Sequence, residues 1–310
     1  APLPMPIAAV DYADFQKQKS SLRWEFVKRN YVAVIDYLLL HGNGIRNTAI
    51  YCGLLIAATL LVNPLAAYAL SRYRPPSAYK ILLFCMCTMA FPPEVTMIPR
   101  FLLLKSFPLY SLIVGAAVTF LAAFALSRYR PRWPVLARGL AAVGAGMLAG
   151  YWLAPLLTRH FLGRPDANVS LLNTFFALIL PRMANGYWIF MLKGFFDSLP
   201  SELYEAAEID GAGEWTKFWT ITMSLSKPIL AVMALGAFTA AYGQFMMALV
   251  IIPNQKMWTI MVWLFQLNAR YSTFQPVVYA SLVIAAVPTM LVFVFCQNII
   301  IRGIVVPVEK

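Results

Sequence analysis

Charge is what this sequence has little of. Only 12% of its 310 residues are Asp, Glu, Lys or Arg, 61% are hydrophobic, and mean hydropathy is +0.69. Soluble domains run near a quarter charged, and disordered chains combine high charge with low hydrophobicity. Both classes are excluded. Histidine and cysteine are scarce too. His41 and His160 stand alone, and Cys52, Cys85, Cys87 and Cys296 all lie in apolar runs without a C-x-x-C spacing. Such thiols behave as small buried hydrophobes, so no metal or redox centre is expected. No Gly-Lys dipeptide occurs, which removes the P-loop, and neither H-E-x-x-H nor G-x-S-x-G is present. Nothing brings together a nucleophile, a base and an orienting group. The chain is therefore not expected to be an enzyme or to need a cofactor. If ATP drives it, a separate subunit hydrolyses that ATP.

What the chain does have is long apolar runs. A membrane span needs about 20 such residues. The runs predict spans near 47–70, 80–104, 110–126, 137–157, 171–192, 229–252 and 276–300. The formal charge of +12 then reads as basic cytoplasmic loops rather than as a nucleic-acid surface. One set of short loops holds twelve Lys and Arg: Arg72, Arg74, Lys80, Arg128, Arg130, Arg132, Arg138, Lys193, Lys217, Lys227, Arg302 and Lys310. The opposite set holds six: Arg100, Lys105, Arg159, Arg164, Lys256 and Arg270. The positive-inside rule puts the first set in the cytoplasm and residues 1–46 outside. The chain starts at Ala1, and residues 1–46 offer neither an 18-residue apolar run nor a signal-peptide core. A further span upstream is expected.

An eleven-residue repeat lies at the ends of two spans. Residues 65–75 read LAAYALSRYRP and residues 121–131 read LAAFALSRYRP; Tyr68 against Phe124 is the single difference. In the following span Ala142, Gly146, Gly150 and Ala154 recur every four residues, a small-residue face that allows close helix approach. The longest cytoplasmic loop, 193–228, contains SLPSELYEAAEIDGAGEWTKFWTITMSLSKP. Ser198 and Pro200 predict a helix start, Glu202 and Glu205 favour its N-terminal turns, and Asp210-Gly211 predicts its stop. A second helix begins near Glu214, with Trp215, Phe218, Trp219 and Thr222 at helical spacing.

At this loop the sequence resembles the permease subunits of ABC importers. Their signature is EAA, three residues, Gly, nine residues, then Ile-x-Leu-Pro. Glu205-Ala206-Ala207, Gly211 and Ile221 match it, while Met223 and Ser224 replace Leu-Pro. The variant from Glu205 to Ala212 looks like the smaller permease of maltose-transporter-like carbohydrate importers. LAAYALSRYR at 65–74, LLNT at 171–174, LKGFFDSLP at 192–200 and FCQNIIIRGI at 295–304 agree. The resemblance covers roughly 45–108 and 170–310.

That resemblance implies an all-α polytopic membrane bundle of the type I importer kind in a prokaryotic inner membrane, with a cytoplasmic coupling helix. The implied partners are a dimer of ATP-binding subunits, a second permease, a secreted solute-binding protein and the lipid bilayer, with no nucleic acid. Glu205, Ala206, Ala207, Asp210 and Gly211 would dock on the ATPase. Five of six family spans are accounted for. The implied organisation is 1–46 as an extracytoplasmic segment, 47–109 and 170–310 as the two parts of the permease core, and 110–169 as an inserted two-span hairpin. Polar groups inside spans usually face the bundle interior. Asn63, Asn185, Tyr187, Tyr242 and Gln244 are thus candidates for a sugar path, or for helix–helix hydrogen bonds. Glu94 and Arg182, the deepest charges, are candidates for an intramembrane pair. Trp258, Trp263 and Phe265 in the outer loop 253–275 suggest an interfacial aromatic anchor. A membrane scaffold that keeps the ATPase-docking loop without transporting is the other class of function.

Overall fold

The computed structural model describes residues 12–40, 43–90, 92, 95–129, 135–162 and 168–304. These fold into helices: α1 Tyr12–Leu40, α2 Gly44–Arg72, α3 Ala78–Cys87, α4 Met97–Lys105, α5 Leu109–Tyr129, α6 Val135–Leu162, α7 Phe175–Ile179, α8 Gly186–Asp197, α9 Glu202–Ile209, α10 Glu214–Thr216, α11 Met223–Leu225, α12 Lys227–Tyr242, α13 Met246–Ile251, α14 Ile260–Arg270 and α15 Gln275–Ile304. Between α10 and α11 the helix widens into a π-helical stretch, Lys217–Thr222. Among the described residues there is no strand, only an isolated bridge between Phe107 and Val169.

Among the described residues four helices are long and apolar enough to cross a membrane: Gly44–Arg72, Leu109–Leu126, Ala141–His160 and Gln275–Gln297. The other three predicted spans are broken, each for a local reason. The run 80–104 stops after α3 and the short 3-10 turn Thr88–Ala90, just ahead of Pro92, and helix resumes at Met97. The residue before a proline is pushed out of the helical region. The run 171–192 breaks at 180–185 around Pro181, and the run 229–252 breaks after Tyr242 at Gly243. Glu94 lies outside the described residues.

The chain divides into two compact units, one made of residues 1–91 and 178–310 and the other of Pro92–Ala177. In the first, α1 buries Asn30, Val34 and Leu38, one face at four-residue spacing, and packs on α15 and α14. The start of α2 is pinned to the 253–260 loop. Asn47 Nδ2 donates to the carbonyls of Lys256 and Trp258 at 2.8 and 3.1 Å, and the Ile260 N–H donates to Thr48 Oγ1 at 2.9 Å. Trp258 and Trp263 are buried and meet edge-on at 4.9 Å, with Trp258 Nε1 donating to the Ile252 carbonyl. The expected aromatic anchor is thus largely packing inside the protein; of the three rings only Phe265 is exposed.

In the second unit α5 and α6 run antiparallel. Ala142, Gly146, Gly150 and Ala154 face α5, and a Cβ built on Gly150 would stand 2.5 Å from the Ser111 carbonyl oxygen. Glycine is required there because nothing larger leaves room for the neighbouring backbone. Phe107 and Val169 exchange two backbone hydrogen bonds, 3.0 and 2.8 Å, so the chain leaves for the α5–α6 pair and returns at the same point.

Candidate functional site

Two places in the first unit carry polar structure that the apolar background does not require. The first is the 193–228 loop. Helix α8 ends at Ser198, whose hydroxyl donates to the Phe195 carbonyl, so Ser198 closes one helix rather than opening the next. Helix α9 starts after Ser201 instead. Its far end is a Schellman turn: the Gly211 N–H donates to the Glu208 carbonyl at 3.0 Å and the Ala212 N–H to the Ala207 carbonyl at 2.8 Å. Gly211 has φ +74, a conformation open to glycine at little cost. Glu205, Ala206, Asp210 and Gly211 are exposed and Ala207 is half-buried, while Leu203 and Ile209 add apolar surface, Ile209 being 87% exposed.

Lys217 closes the turn. It is 5% exposed, yet its ammonium pairs with Glu208 at 2.7 Å and with Glu214 at 2.5 Å. Those pairs hold Lys217 above its ordinary pKa, Glu208 contributing most. The Lys217 bond, above all, holds the Glu214 carboxyl below the usual range, helped by the Tyr68 hydroxyl. Below the loop, α2 supplies a row of anchors. Tyr68 donates to Glu214 at 3.0 Å, Ser71 to Asp197 at 2.7 Å, and Arg72 to the Phe196 carbonyl at 2.8 Å. The Arg72 guanidinium carbon lies 3.5 Å from the centre of the Tyr204 ring. Tyr204, in turn, hydrogen-bonds Thr222 at 2.8 Å. Ala67, Tyr68, Leu192, Phe196, Tyr204, Phe218, Leu230 and Met233 form one buried cluster beneath. At Ser226 the chain turns by 80° into α12. Pro228 lies in the first turn of α12, just after this bend.

The second place is where two helix breaks meet. Asn185 opens α8, accepting from the N–H groups of Tyr187 and Trp188 on its side-chain oxygen. Asn63, fully buried on α2, staples the break: its Nδ2 donates to the Met183 carbonyl at 3.0 Å and its Oδ1 accepts from the Asn185 N–H at 2.8 Å. Tyr242 donates to the Ala285 carbonyl at 2.9 Å. Asn63 and Tyr242 therefore spend their polar side-chain atoms on the backbone of neighbouring elements, and Asn185 spends its side-chain oxygen on its own helix start. Tyr187 is 40% exposed. Arg182, within the first break, reaches across to Gln244, within the second, with Nη1 to Oε1 at 2.5 Å.

Sequence reasoning picked out α9 and its Gly211 stop but missed the anchors Tyr68, Ser71, Arg72, Asp197, Tyr204 and Lys217. The one available signal was the repeat, in which only the copy under the loop keeps the tyrosine hydroxyl.

Discontinuous helices meeting at polar side chains, together with an exposed preformed loop, define a polytopic transport subunit. Residues 62–306 match the family described as binding-protein-dependent transport system inner membrane component, and the chain belongs to that family. It is an inner-membrane, multi-pass permease subunit. Protein LplC of Bacillus subtilis (strain 168) is 30% identical over 226 residues, covering 67% of this chain and 74% of its own. The diacetylchitobiose uptake system permease protein NgcG of Streptomyces coelicolor is 32% identical over 160 residues, covering 49% of this chain and 52% of its own. Among solved structures, a bacterial ABC transporter involved in the import of the acidic polysaccharide alginate shares the fold with TM-score 0.55. It is 20% identical and covers 87% of this chain and 78% of that one.

Proposed function

We propose that this chain forms, with a second permease, the path for a sugar or oligosaccharide. The 202–212 turn docks on a dimer of ATP-binding subunits, and a solute-binding protein loads the path from the opposite face. The single observation that carries this reading is the loop. A Schellman turn closed by a buried lysine presents acids and apolar side chains to solvent while its inner side is fixed to the spans. ATP-driven closure of the partner would move that loop and switch the permease between two states, as rigid-body gating requires. Purified with its ATPase, the complex should hydrolyse ATP faster when sugar-loaded binding protein is added. An unchanged rate favours the scaffold reading instead.

Within the path we assign Arg182 and Gln244. Their side chains join the two breaks to each other and are not spent on helix backbone. A charge at this depth costs about 3 kcal/mol on insertion scales and is kept for a function. Gln244→Ala removes the Arg182 acceptor and should change uptake several-fold at unchanged protein level. Normal uptake by both Gln244→Ala and Arg182→Gln places the path elsewhere.

We further propose that the predicted 110–169 hairpin is an insert, and that the Phe107–Val169 bridge sets its limits at 108 and 168. The bridged residues Phe107 and Val169 stand about 5.5 Å apart, Cα to Cα, as hydrogen-bonded antiparallel pairs do. One glycine spans that gap. Replacing 108–168 by glycine should leave membrane insertion intact and retain part of the transport activity. Failure to insert would make the hairpin part of the core.

A further inference from the structure

We infer that Arg72 is the positioning residue through which the coupling loop moves the α2 span. The inference rests on the docking reading above and goes beyond it, to how a push on the loop reaches the membrane. Tyr68, Ser71 and Arg72 lie at i, i+3 and i+4, one face of one helical turn. Each holds a different piece of the loop: Glu214, Asp197 and Tyr204 respectively. Arg72 alone grips two elements. It donates to the last turn of α8 at the Phe196 carbonyl and lies on the Tyr204 ring of α9.

The geometry on α9 fits a transmitter. Tyr204 is its buried side chain, while Glu205, Ala206 and Asp210 are exposed. Force applied to the exposed face therefore presses the Tyr204 ring onto the guanidinium. A cation over a desolvated aromatic face attracts it as well, so the contact carries both a push and a pull. Being buried, it is screened little by salt.

The second copy of the motif supplies a contrast within the same chain. Ala67 and Tyr68 are buried beneath the loop, whereas Ala123 and Phe124, their counterparts on α5, are exposed, as is Arg128, the counterpart of Arg72. Nearly the same residues are thus more buried beneath the loop than at these three positions of α5. What seats them is the loop rather than any preference of the motif for a membrane helix. The position that differs, Tyr68 against Phe124, is the one whose hydroxyl the loop uses.

The test is amide hydrogen exchange on the whole importer in nanodiscs, comparing nucleotide-free complex with complex trapped by ATP and vanadate. In the wild type, trapping should change exchange in 202–212 and in 60–72. Arg72→Ala and Tyr204→Leu should keep the loop change and lose at least four-fifths of the span change. Arg72→Lys and Tyr204→Phe, which keep a cation or a ring, should retain both. A wild-type span response in Arg72→Ala overturns the proposal. So does a Tyr204→Phe variant as deficient as Tyr204→Leu, since the hydroxyl bond to Thr222 would then be the link. If Arg72→Ala does not assemble, the two Tyr204 variants decide alone. Failure of the ATPase to co-purify with the wild-type chain defeats the docking reading itself, a result distinct from a silent span in a docked complex.

Discussion

Gly211→Val should reduce uptake at least tenfold while leaving the protein in the membrane at its normal level. The effect comes purely from the backbone. Nothing lies within 4 Å of a Cβ built at Gly211, so added atoms meet no obstacle. But φ is +74 there, and the left-handed region costs an ordinary residue roughly 1–2 kcal/mol and a β-branched one more. Relieving that strain unwinds the Schellman turn, which separates Glu208 from the Lys217 that reaches it over nine residues. The series should be graded: valine worst, alanine intermediate, asparagine near wild type, because asparagine tolerates this region. Uptake set against immunoblotted protein level reads the series. Wild-type uptake by the valine variant refutes the role of the turn.

Asn63→Leu should destabilise the fold itself. The leucine is similar in size, so packing is nearly conserved. What is lost is the staple across the 180–185 break, leaving the Met183 carbonyl and the Asn185 N–H without the side chain that satisfies them. The half-buried Met183 carbonyl left without a partner costs about 1–3 kcal/mol, and the exposed Asn185 N–H adds less, a sizeable share of an ordinary stability of about 5–15 kcal/mol. Asn185→Ala, by contrast, loses a cap worth about 1 kcal/mol. Thermal unfolding of the detergent-purified protein should order the three as wild type, Asn185→Ala, Asn63→Leu. An Asn63→Leu melting point equal to wild type defeats the staple.

The class of the chain was legible because hydrophobicity over 20 residues is a bulk property. The loop was legible because Asp210-Gly211 and the acids before it are local signals. Breaks were harder. Pro92, Pro181 and Gly243 are visible in the sequence, but a proline within a span is tolerated when neighbours satisfy the freed backbone, and only the fold tells which case holds. Asn63 and Asn185 were seen as polar groups in spans, yet the Asn63 side chain is satisfied by backbone 120 and 122 residues away in sequence, and that of Asn185 caps its own helix. Lys217 was the least legible. A lysine beside Trp215, Phe218 and Trp219 reads as a surface charge; only the turn at Gly211, by returning Glu208 over it, makes burial possible. Tyr204 was passed over for the same reason, as its partner Arg72 lies on another helix.

If a partner docks on the preformed turn at 202–212, as proposed, its arrival should be fast and its heat-capacity change small. A loop that must fold on contact gives a large negative heat-capacity change. Here the caps and the Lys217 pairs already exist, so calorimetry of docking should report little beyond the small apolar patch of Leu203 and Ile209. The rim of that patch is acidic, with Glu202, Glu205, Glu208 and Asp210 all exposed. A docking partner would present a basic-edged groove to it, and encounter between the two would be accelerated by their fields at low ionic strength. Raising salt from about 10 mM, where the screening length is about 30 Å, to about 0.1 M, where it is about 10 Å, should slow association much more than dissociation.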